Sequence, residues 1–382
     1  MKKHVKHAKI TKANIGRFNK TEFAILGTPC VNIKKLSFEI ISRLSSKYNI
    51  GYVDADHKGA DEGIEDSNSA LTYGATNEYV DKIDFNRFDQ KHSLNEFDFR
   101  QNFSHEDAVL INGNHYLGQK QIIVIDAKKP LEKKLNKLTD VVLVLFQEGA
   151  SDIPQYLSDH IPNIDELPKF QLNDVDEVAR FVEKEIEKQA ADLNGLVLAG
   201  GKSTRMNCDK GKIQYHGIEQ RVYMKDLLSR FTKESFISIR ADQQDEFLEK
   251  INVIEDVHIG LGPYGAILSA FQKNPNIAWL VTACDQPLLN EDTLKYLIQN
   301  RNPSKLATAF HNSETQFPEP LITIWEPRAY ARLLYFLSLG YSCPRKVLIN
   351  SDIELVKLDD EKVLKNANTP EEYQALTQEL KI

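Results

Sequence analysis

The chain has 382 residues, of which 41% are apolar and 27% are charged. This length predicts two domains, since one domain commonly spans roughly 100 to 200 residues. The composition is that of an ordinary globular protein and favours neither a disordered nor a membrane-spanning class. The 55 acidic and 48 basic residues give a net charge of −7, which argues against nucleic acid as a partner.

The cysteines are spread along the chain without paired spacing, at Cys30, Cys208, Cys284 and Cys343. This arrangement argues against both a zinc cluster and a disulfide framework. A basic run at residues 1–9 is not followed by the apolar stretch of a signal peptide, and we interpret it as a solvated arm. We therefore expect a cytoplasmic protein that does not act at a membrane.

The first half alternates strand-like and helix-like segments. An apolar run at residues 23–27 ends in glycine, and apolar residues then recur at helical spacing from Leu36 to Leu44. Further apolar runs predict the buried strands of a mostly parallel sheet at residues 50–53, 108–111, 121–125 and 141–145. The polar stretch at residues 56–107 predicts a loop or an insertion.

A helix that closes the first domain is predicted at residues 173–189, with Asn173 or Asp174 as its cap. A new strand-loop-helix pattern begins at Leu193, so we place the domains at residues 1–190 and 191–382. The second half has strand candidates at residues 236–239, 253–255, 279–283 and 321–325. The chain is therefore predicted to be an α/β protein with two domains, each a mostly parallel sheet flanked by helices.

A glycine-rich loop follows the first strand of the second half, where ligands of open α/β sheets usually bind. Gly200 and Gly201 let backbone amides approach a phosphate or a base, while Lys202, Arg205 and Lys210 bring positive charge to a triphosphate. A glycine turn with solvated basic residues is the alternative, and three basic residues within nine positions favour phosphate binding over it.

A Walker A loop is excluded at this place, because Leu196 occupies the position of the glycine that the motif requires five residues before Gly201. Asp285 follows an apolar strand and could hold a hard divalent ion such as Mg²⁺, which takes carboxylate oxygens together with water and phosphate. From the residues alone, a turn role for Asp285 weighs equally.

The glycine-rich segment at residues 198–211 resembles the LAGGxSxRMGxDKG signature of the molybdenum cofactor nucleotidyltransferases, with Asn207 in place of one glycine. Four later segments are similar to further motifs of that family. They are CDxP at residues 284–287, IxD with GPL at 254–267, EPL at 319–321 and NxNTPEE at 366–372. Tyr264 replaces the usual leucine of GPL.

This resemblance implies a Rossmann-like nucleotidyltransferase fold and the transfer of GMP from GTP to molybdopterin or the molybdenum cofactor, with release of pyrophosphate. It implies catalytic roles for Arg205, Lys210 and Asp285, with Asp285 as the Mg²⁺ ligand. The implied nucleotide-binding residues are Leu198, Ala199, Gly200, Gly201, Lys210, Asp242, Asp256 and Asp285. The implied substrate-binding residues are Arg345, Lys346, Asn366 and Asn368.

Other functions stay open at this point. Cytidylyl transfer to the same pterin and nucleotidyl transfer to a sugar phosphate would use the same fold and loop chemistry. A non-catalytic nucleotide-binding protein that delivers the cofactor is an alternative of a different class. Molybdoenzymes or cofactor-insertion proteins are the partners that the resemblance implies.

The first half resembles a degenerate MobB-type GTP-binding adapter domain, with a strand at residues 23–26, a loop and a helix from Lys34. Relatives carry GxxxxGKT after this strand, whereas this chain places Asn32, Ile33 and Lys34 at the glycine, lysine and hydroxyl positions. Isoleucine cannot neutralise a phosphate. We therefore predict a scaffold or partner-docking domain that neither hydrolyses GTP nor binds it with micromolar affinity.

Overall fold

The computed structural model describes residues 20–56, 69–201, 209–246 and 251–380. These residues form two compact units, one of them Lys20–Lys188 and the other beginning at Gln189. Within the described ranges Cys30, Cys284 and Cys343 are free thiols. No helix in that part of the chain is both long and apolar enough to cross a membrane.

The first unit is built on a parallel sheet of six strands in the order β2-β5-β1-β6-β7-β8, and it also carries a two-stranded antiparallel hairpin, β3-β4. Its strands are β1 (Thr21–Leu26), β2 (Ile50–Val53), β3 (Asn77–Asp81), β4 (Asn86–Gln90), β5 (Ala108–Asn112), β6 (Lys120–Ile125), β7 (Val141–Phe146) and β8 (Lys169–Gln171). Its helices are α1 (Cys30–Leu44), α2 (Glu96–Asn102), α3 (Gln155–His160) and α4 (Val175–Glu187).

Both faces of the six-stranded sheet are covered, which explains why its strands are near-continuous apolar runs. On one face the apolar stripes of α1 and α4, represented by Ile40 and Val178, form a single buried cluster with Leu110 of the sheet. On the other face Ile123 and Leu157 belong to a second buried cluster. The predicted parallel sheet flanked by helices is confirmed.

The segment at residues 56–107, predicted as a loop or an insertion, carries regular structure in its described part, residues 69–107. It contains the hairpin, in which Tyr79 pairs with Phe88, and helix α2. The many polar residues of this segment obscure the strand signal, because an exposed hairpin has no buried face to impose apolar alternation. Helix α4 also differs locally: Asp174 is the N-cap residue, but its side chain accepts a hydrogen bond from the Gln171 amide and does not cap the helix.

The second unit is built on a seven-stranded sheet in the order β11-β10-β9-β12-β14-β13-β15, in which only β14 runs antiparallel to its neighbours. Its strands are β9 (Leu193–Leu198), β10 (Ser235–Ile239), β11 (Val253–Glu255), β12 (Ala278–Ala283), β13 (Ala307–Asn312), β14 (Phe317–Trp325) and β15 (Glu354–Val356). Its helices are α5 (Gln220–Ser229), α6 (Pro263–Lys273), α7 (Glu291–Gln299), α8 (Ala329–Ser338), α9 (Pro344–Ile349) and α10 (Pro370–Glu379).

Strand β14 is longer than the predicted segment at residues 321–325, because it begins at Phe317 and passes through Pro318 and Pro320. Proline cannot donate to a ladder and normally marks an edge or a bulge. The register between β13 and β14 shifts between Ala309 and His311, and this irregularity accommodates the prolines. The prolines therefore concealed the start of β14, whereas its end at Trp325 is as predicted.

The order of the strands determines where a site can form. Strand β9 lies between β10 and β12, and all three run parallel. The chain passes from β9 to β10 and β11 on one side of β9 and then crosses to β12 on its other side, so the carboxyl ends of these strands form the crevice where open α/β sheets bind ligands. The segments that follow the three strands carry the glycine loop, Arg240 and Asp285 respectively.

Candidate active site

A cavity opens at the carboxyl ends of β9, β10 and β12. Among the predicted nucleotide-binding residues it is lined by Leu198, Ala199, Gly200, Gly201, Lys210, Asp256 and Asp285. Further lining residues come from the strand ends and the start of α6, namely Ser238, Gly262, Pro263, Ala266, Ala283, Cys284 and Leu321. Residues that are far apart in the sequence thus converge on one crevice.

The two loop glycines are not required by their backbone conformation, since neither Gly200 nor Gly201 has a positive φ. A Cβ atom added to Gly200 would lie 3.5 Å from the Arg240 side chain, an ordinary contact. A Cβ added to Gly201 would have no atom of the described residues within 4 Å. What glycine provides at Gly201 is therefore an uncovered backbone that a ligand can approach closely.

Lys210 joins residues that are far apart in the chain. Its ammonium group donates to Asp285 Oδ2 at 3.1 Å and to Asn368 Oδ1 at 2.7 Å. The backbone under this lysine is fixed, because the Asp209 carboxylate accepts a hydrogen bond from the Gly211 amide at 2.9 Å in a short 3₁₀ turn. Lys210 thus contacts two further predicted site residues, Asp285 and Asn368.

Asp285 lies in the turn after β12. Gln286 holds this turn by accepting a hydrogen bond from the Ala283 amide, and the Asp285 carbonyl accepts another from the Ala367 amide at 2.8 Å. The second carboxylate oxygen, Oδ1, is buried and has no hydrogen-bond partner among the described residues. A buried carboxylate oxygen without a partner is costly, and a bound cation would satisfy it.

The donor set around Asp285 fits Mg²⁺ better than a thiolate-binding metal. Burial raises the pKa of the neighbouring Cys284 thiol to about 12, so this thiol stays protonated at neutral pH. No group of three or more His, Cys, Asp or Glu side chains suited to a metal occurs among the described residues. Mg²⁺ commonly takes one or two carboxylates from the protein and its other ligands from water and phosphate.

Glu319, the first residue of the EPL segment, is a second buried carboxylate beside this site. It lies in β14, two residues before Leu321, which lines the cavity. Burial raises the pKa of the Glu319 carboxyl and the Asp285 carboxylate adds to that rise, while the Arg345 guanidinium at 3.8 Å opposes it. The sequence pointed to this residue only through the EPL resemblance, which assigned it no role of its own.

Asp256 is held against the start of α6. One of its carboxylate oxygens accepts hydrogen bonds from the His258 amide and from the Ser269 hydroxyl, both at 3.0 Å. A Cβ atom on Gly265 would lie 2.3 Å from the His258 carbonyl oxygen, so this glycine is required by close packing. Tyr264, the departure from the family's leucine, is fully buried and donates its hydroxyl to the Leu333 carbonyl at 2.6 Å.

The other predicted residues that the structure describes do not line this cavity. The Lys346 ammonium lies 4.3 Å from the Tyr341 ring centroid, and Asn366 Oδ1 is buried without a described partner. Asp242 forms an ion pair with Arg240 at 2.9 Å. Arg205 lies outside the described residues, as does Asn207. The roles implied for Arg345, Lys346, Asn366, Asp242 and Arg205 stay predictions.

In the first unit, only three residues separate β1 from α1, because the helix begins at Cys30 and not at the predicted Lys34. A GxxxxGKT loop needs more chain than this to place successive amides around a phosphate. Hydrogen-bonded side chains of the protein itself occupy the space at the end of β1. Thr28 donates to Asp126 at 2.8 Å, and Asn114 donates to the Thr28 carbonyl at 2.9 Å.

The sheet of the second unit is open and mostly parallel, and polar side chains lie at the carboxyl ends of the strands on either side of β9. These features define the class of α/β domains that bind ligands at this edge of the sheet. Residues 195–353 match the profile of the MobA-like NTP transferase domain. The C-terminal half of the chain therefore contains a MobA-like NTP transferase domain.

Curated relatives carry molybdenum cofactor names. The molybdenum cofactor biosynthesis bifunctional protein of Synechocystis sp. is 36% identical over 182 residues, which are 47% of this chain and 52% of that protein. A molybdenum cofactor guanylyltransferase of Shewanella baltica is 27% identical over 203 residues, which are 50% of this chain and 98% of the relative. The chain thus spans about half the length of the first of these relatives.

Among solved structures, the chain is similar to molybdopterin-guanine dinucleotide biosynthesis protein A from Archaeoglobus fulgidus. The sequences are 20% identical, the match covers 48% of this chain and 97% of that chain, and the TM-score is 0.42.

Proposed function

We propose that the C-terminal unit transfers GMP from GTP to molybdopterin or the molybdenum cofactor and releases pyrophosphate. The observation that carries this proposal is the contact of Lys210 with both Asp285 and Asn368 beside the glycine-loop cavity. A cation, a carboxylate and an exposed backbone stretch in one crevice supply what a nucleoside triphosphate and its metal need. The Shewanella baltica relative, named a guanylyltransferase, supports GTP as the nucleotide.

The reaction forms a bond between an oxygen of the acceptor phosphate and the α-phosphorus of GTP, and breaks the bond between the α-phosphorus and the bridging oxygen of the β-phosphate. The acceptor phosphate is already anionic, so no general base is needed. Catalysis rests on positioning the two substrates and on neutralising the charge of the transferring and leaving groups. Lys210 supplies a positive charge, and the backbone of Gly200 and Gly201 supplies close contact with the nucleotide.

Asp285 and Asn368 are the residues that would hold Mg²⁺, because a side-chain oxygen of each lies within hydrogen-bond distance of the same point. In the structure the Lys210 ammonium occupies this point. When bound, Mg²⁺ neutralises phosphate charge and orients the triphosphate. The unpartnered Oδ1 of Asp285 supports this assignment. Asn368 is held in place by its own backbone, which donates to the Glu372 carboxylate at 2.7 Å in the first turn of α10.

The acceptor phosphate is assigned to Arg345. Its guanidinium lies 3.8 Å from the Glu319 carboxylate, and its Nε is buried without a hydrogen-bond partner in the described part of the chain. A buried guanidinium donor that lacks a partner favours an anionic ligand. Lys346 and Asn366 follow as further contacts of the pterin substrate, and molybdoenzymes or their cofactor-insertion proteins follow as recipients of the product.

Incubation of the full chain with molybdopterin, Mg²⁺ and each nucleoside triphosphate in turn tests this proposal. We expect pyrophosphate release with GTP and formation of the guanine dinucleotide. Release with CTP alone would identify a cytidylyltransferase, and release that requires a sugar phosphate would identify a different acceptor class. Nucleotide binding without any pyrophosphate release would favour a non-catalytic delivery protein.

We expect Gly201→Ala to weaken GTP binding by about ten-fold without lowering the melting temperature. The added methyl group meets no described atom of the protein, and therefore costs the fold little, but it covers backbone that the nucleotide approaches. Calorimetric titration with GTP and thermal unfolding measure the two effects. Gly217→Ala provides a contrast, since the positive φ of Gly217 predicts lost stability without lost affinity.

The N-terminal unit is expected to bind no GTP with micromolar affinity, because its strand end is filled by Thr28, Asn114 and Asp126. Calorimetric titration of residues 1–190 with GTP and Mg²⁺, after circular dichroism has shown that the segment is folded, measures this. Saturable binding at low micromolar concentration that is lost in Lys34→Ala would show that the altered loop is a working site. A scaffold or partner-docking role for this unit would then be wrong.

A further inference from the structure

Arg240 lies directly behind the glycine loop. It follows β10, and its Nη1 donates to the Gly200 carbonyl at 2.9 Å and to the Gly201 carbonyl at 3.1 Å. On the other edge of the guanidinium, Nε and Nη2 donate to the two carboxylate oxygens of Asp242 at 2.9 and 3.2 Å. The planar fork of arginine thus bridges two loop carbonyls and one carboxylate, which a lysine ammonium cannot match in geometry.

These contacts fix the direction of the loop backbone. In a trans peptide the carbonyl and the following N–H point in opposite directions. Because the Gly200 carbonyl is directed at Arg240, the N–H of Gly201 is directed away from Arg240. Gly200 and Gly201 line the cavity, whereas Arg240 does not. The Gly200–Gly201 peptide therefore has its acceptor engaged by Arg240 and its donor, the Gly201 N–H, on the side away from Arg240; we call this N–H the donor edge of the glycine loop.

The arrangement is built into the fold at the end of β10. The Arg240 amide donates to the side chain of Gln243 at 3.0 Å, and Gln243 is almost completely buried. Gln243 also donates to Asp209, the residue that caps the turn carrying Lys210, at 3.3 Å. Arg240 is thus placed by groups that also fix the neighbouring part of the site.

We propose that Arg240, oriented by Asp242, is a positioning residue that sets the donor edge of the glycine loop. This donor edge, the Gly201 N–H, then selects a hydrogen-bond acceptor on the base or sugar of the bound nucleotide. The inference rests on nucleotide binding at the cavity, which is part of the proposed function. The proposed role of Asp242 is to orient Arg240 through these hydrogen bonds.

A direct phosphate contact by Arg240 is the competing role, and a series of nucleotides separates the two. A positioning residue affects the part of the nucleotide that GMP, GDP and GTP share, so its loss weakens the binding of all three by the same factor. A phosphate ligand loses more affinity with each added phosphate, because its contribution is electrostatic. The comparison needs no acceptor and no turnover.

Calorimetric titrations of the full-length Arg240→Gln variant with GMP, GDP and GTP test the proposal. We expect each dissociation constant to rise by about ten-fold, which corresponds to loss of hydrogen bonds from a charged donor. In the transfer assay the KM for GTP is expected to rise, while the KM for the pterin acceptor stays unchanged. Arg240→Lys is expected to restore less than half of the lost affinity on a logarithmic scale, since one ammonium cannot bridge the loop and Asp242.

Arg230→Gln is the matched control, because Arg230 is an exposed arginine paired with Glu291 on a different surface. It is expected to bind all three nucleotides as the wild type does. The Arg240→Gln and Asp242→Asn changes are expected to be non-additive, with the double variant no weaker than Arg240→Gln alone. A purely structural role for Arg240 would instead lower the melting temperature and alter the KM of both substrates.

Unchanged nucleotide binding in Arg240→Gln, or a loss that increases from GMP to GTP, would overturn the inference and leave the proposed reaction standing. Additive effects of Arg240→Gln and Asp242→Asn would show that Asp242 does not act through Arg240. Equal losses for the three nucleotides in a protein that releases no pyrophosphate would have the opposite meaning. They would support the role of Arg240 and refute the transfer reaction.

Discussion

Asp285→Asn is expected to reduce pyrophosphate release by at least about a thousand-fold while the protein stays folded. The substitution removes one negative charge and almost no volume. It leaves the backbone contact between the Asp285 carbonyl and Ala367 in place, so the turn after β12 is retained. The loss falls on the carboxylate that is assigned to Mg²⁺ and is in contact with Lys210.

Pyrophosphate release with saturating GTP and molybdopterin measures this effect, and circular dichroism verifies the fold. Asp226→Asn is a matched control, because Asp226 is an aspartate of the same unit that lies in a separate surface depression. We expect the control to keep wild-type turnover. Near-wild-type pyrophosphate release from a folded Asp285→Asn variant would show that Asp285 is not the metal ligand. The mechanism would then lose its main support.

The sequence predicted most of the element order, because buried parallel strands are continuous apolar runs. It also predicted that Asp285 follows a strand and that Gly200 and Gly201 follow another, which placed them at the same edge of the sheet. Their contact with Lys210 could be expected only from the family resemblance, since the residues are distant in the chain. Helix α10 begins at Pro370 with a capping box of Thr369 and Glu372, within the NxNTPEE segment.

Other features depend on tertiary placement and have no local pattern. The hydrogen bonds from Arg240 to two backbone carbonyls follow from the adjacency of β9 and β10, and any residue type could have supplied the carbonyls. Glu319 became visible as a buried carboxylate only when β14 was placed beside β12. In the first unit, Pro29 allowed α1 to begin at Cys30, and this shortened a loop that had been aligned with a phosphate-binding motif.

Lys210→Ala is expected to lower the turnover number by one to several powers of ten, by analogy with the loss of a transition-state donor. The Lys210 ammonium contacts Asp285 and Asn368, so it also repels a second cation that binds to the same oxygens. Removing it is therefore expected to tighten Mn²⁺ binding by about ten-fold or more in the absence of nucleotide, because like charges a few ångströms apart repel. With GTP present, the wild type is expected to bind Mn²⁺ more tightly than the variant, since phosphate then engages the ammonium.

Electron paramagnetic resonance of free Mn²⁺ measures both constants, and Lys212→Ala, an exposed lysine of the same turn, serves as the control. A higher GTP requirement with an unchanged turnover number would make Lys210 a uniform binder of substrate and transition state. Unchanged Mn²⁺ affinity without nucleotide would show that the ammonium does not compete with a metal for Asp285.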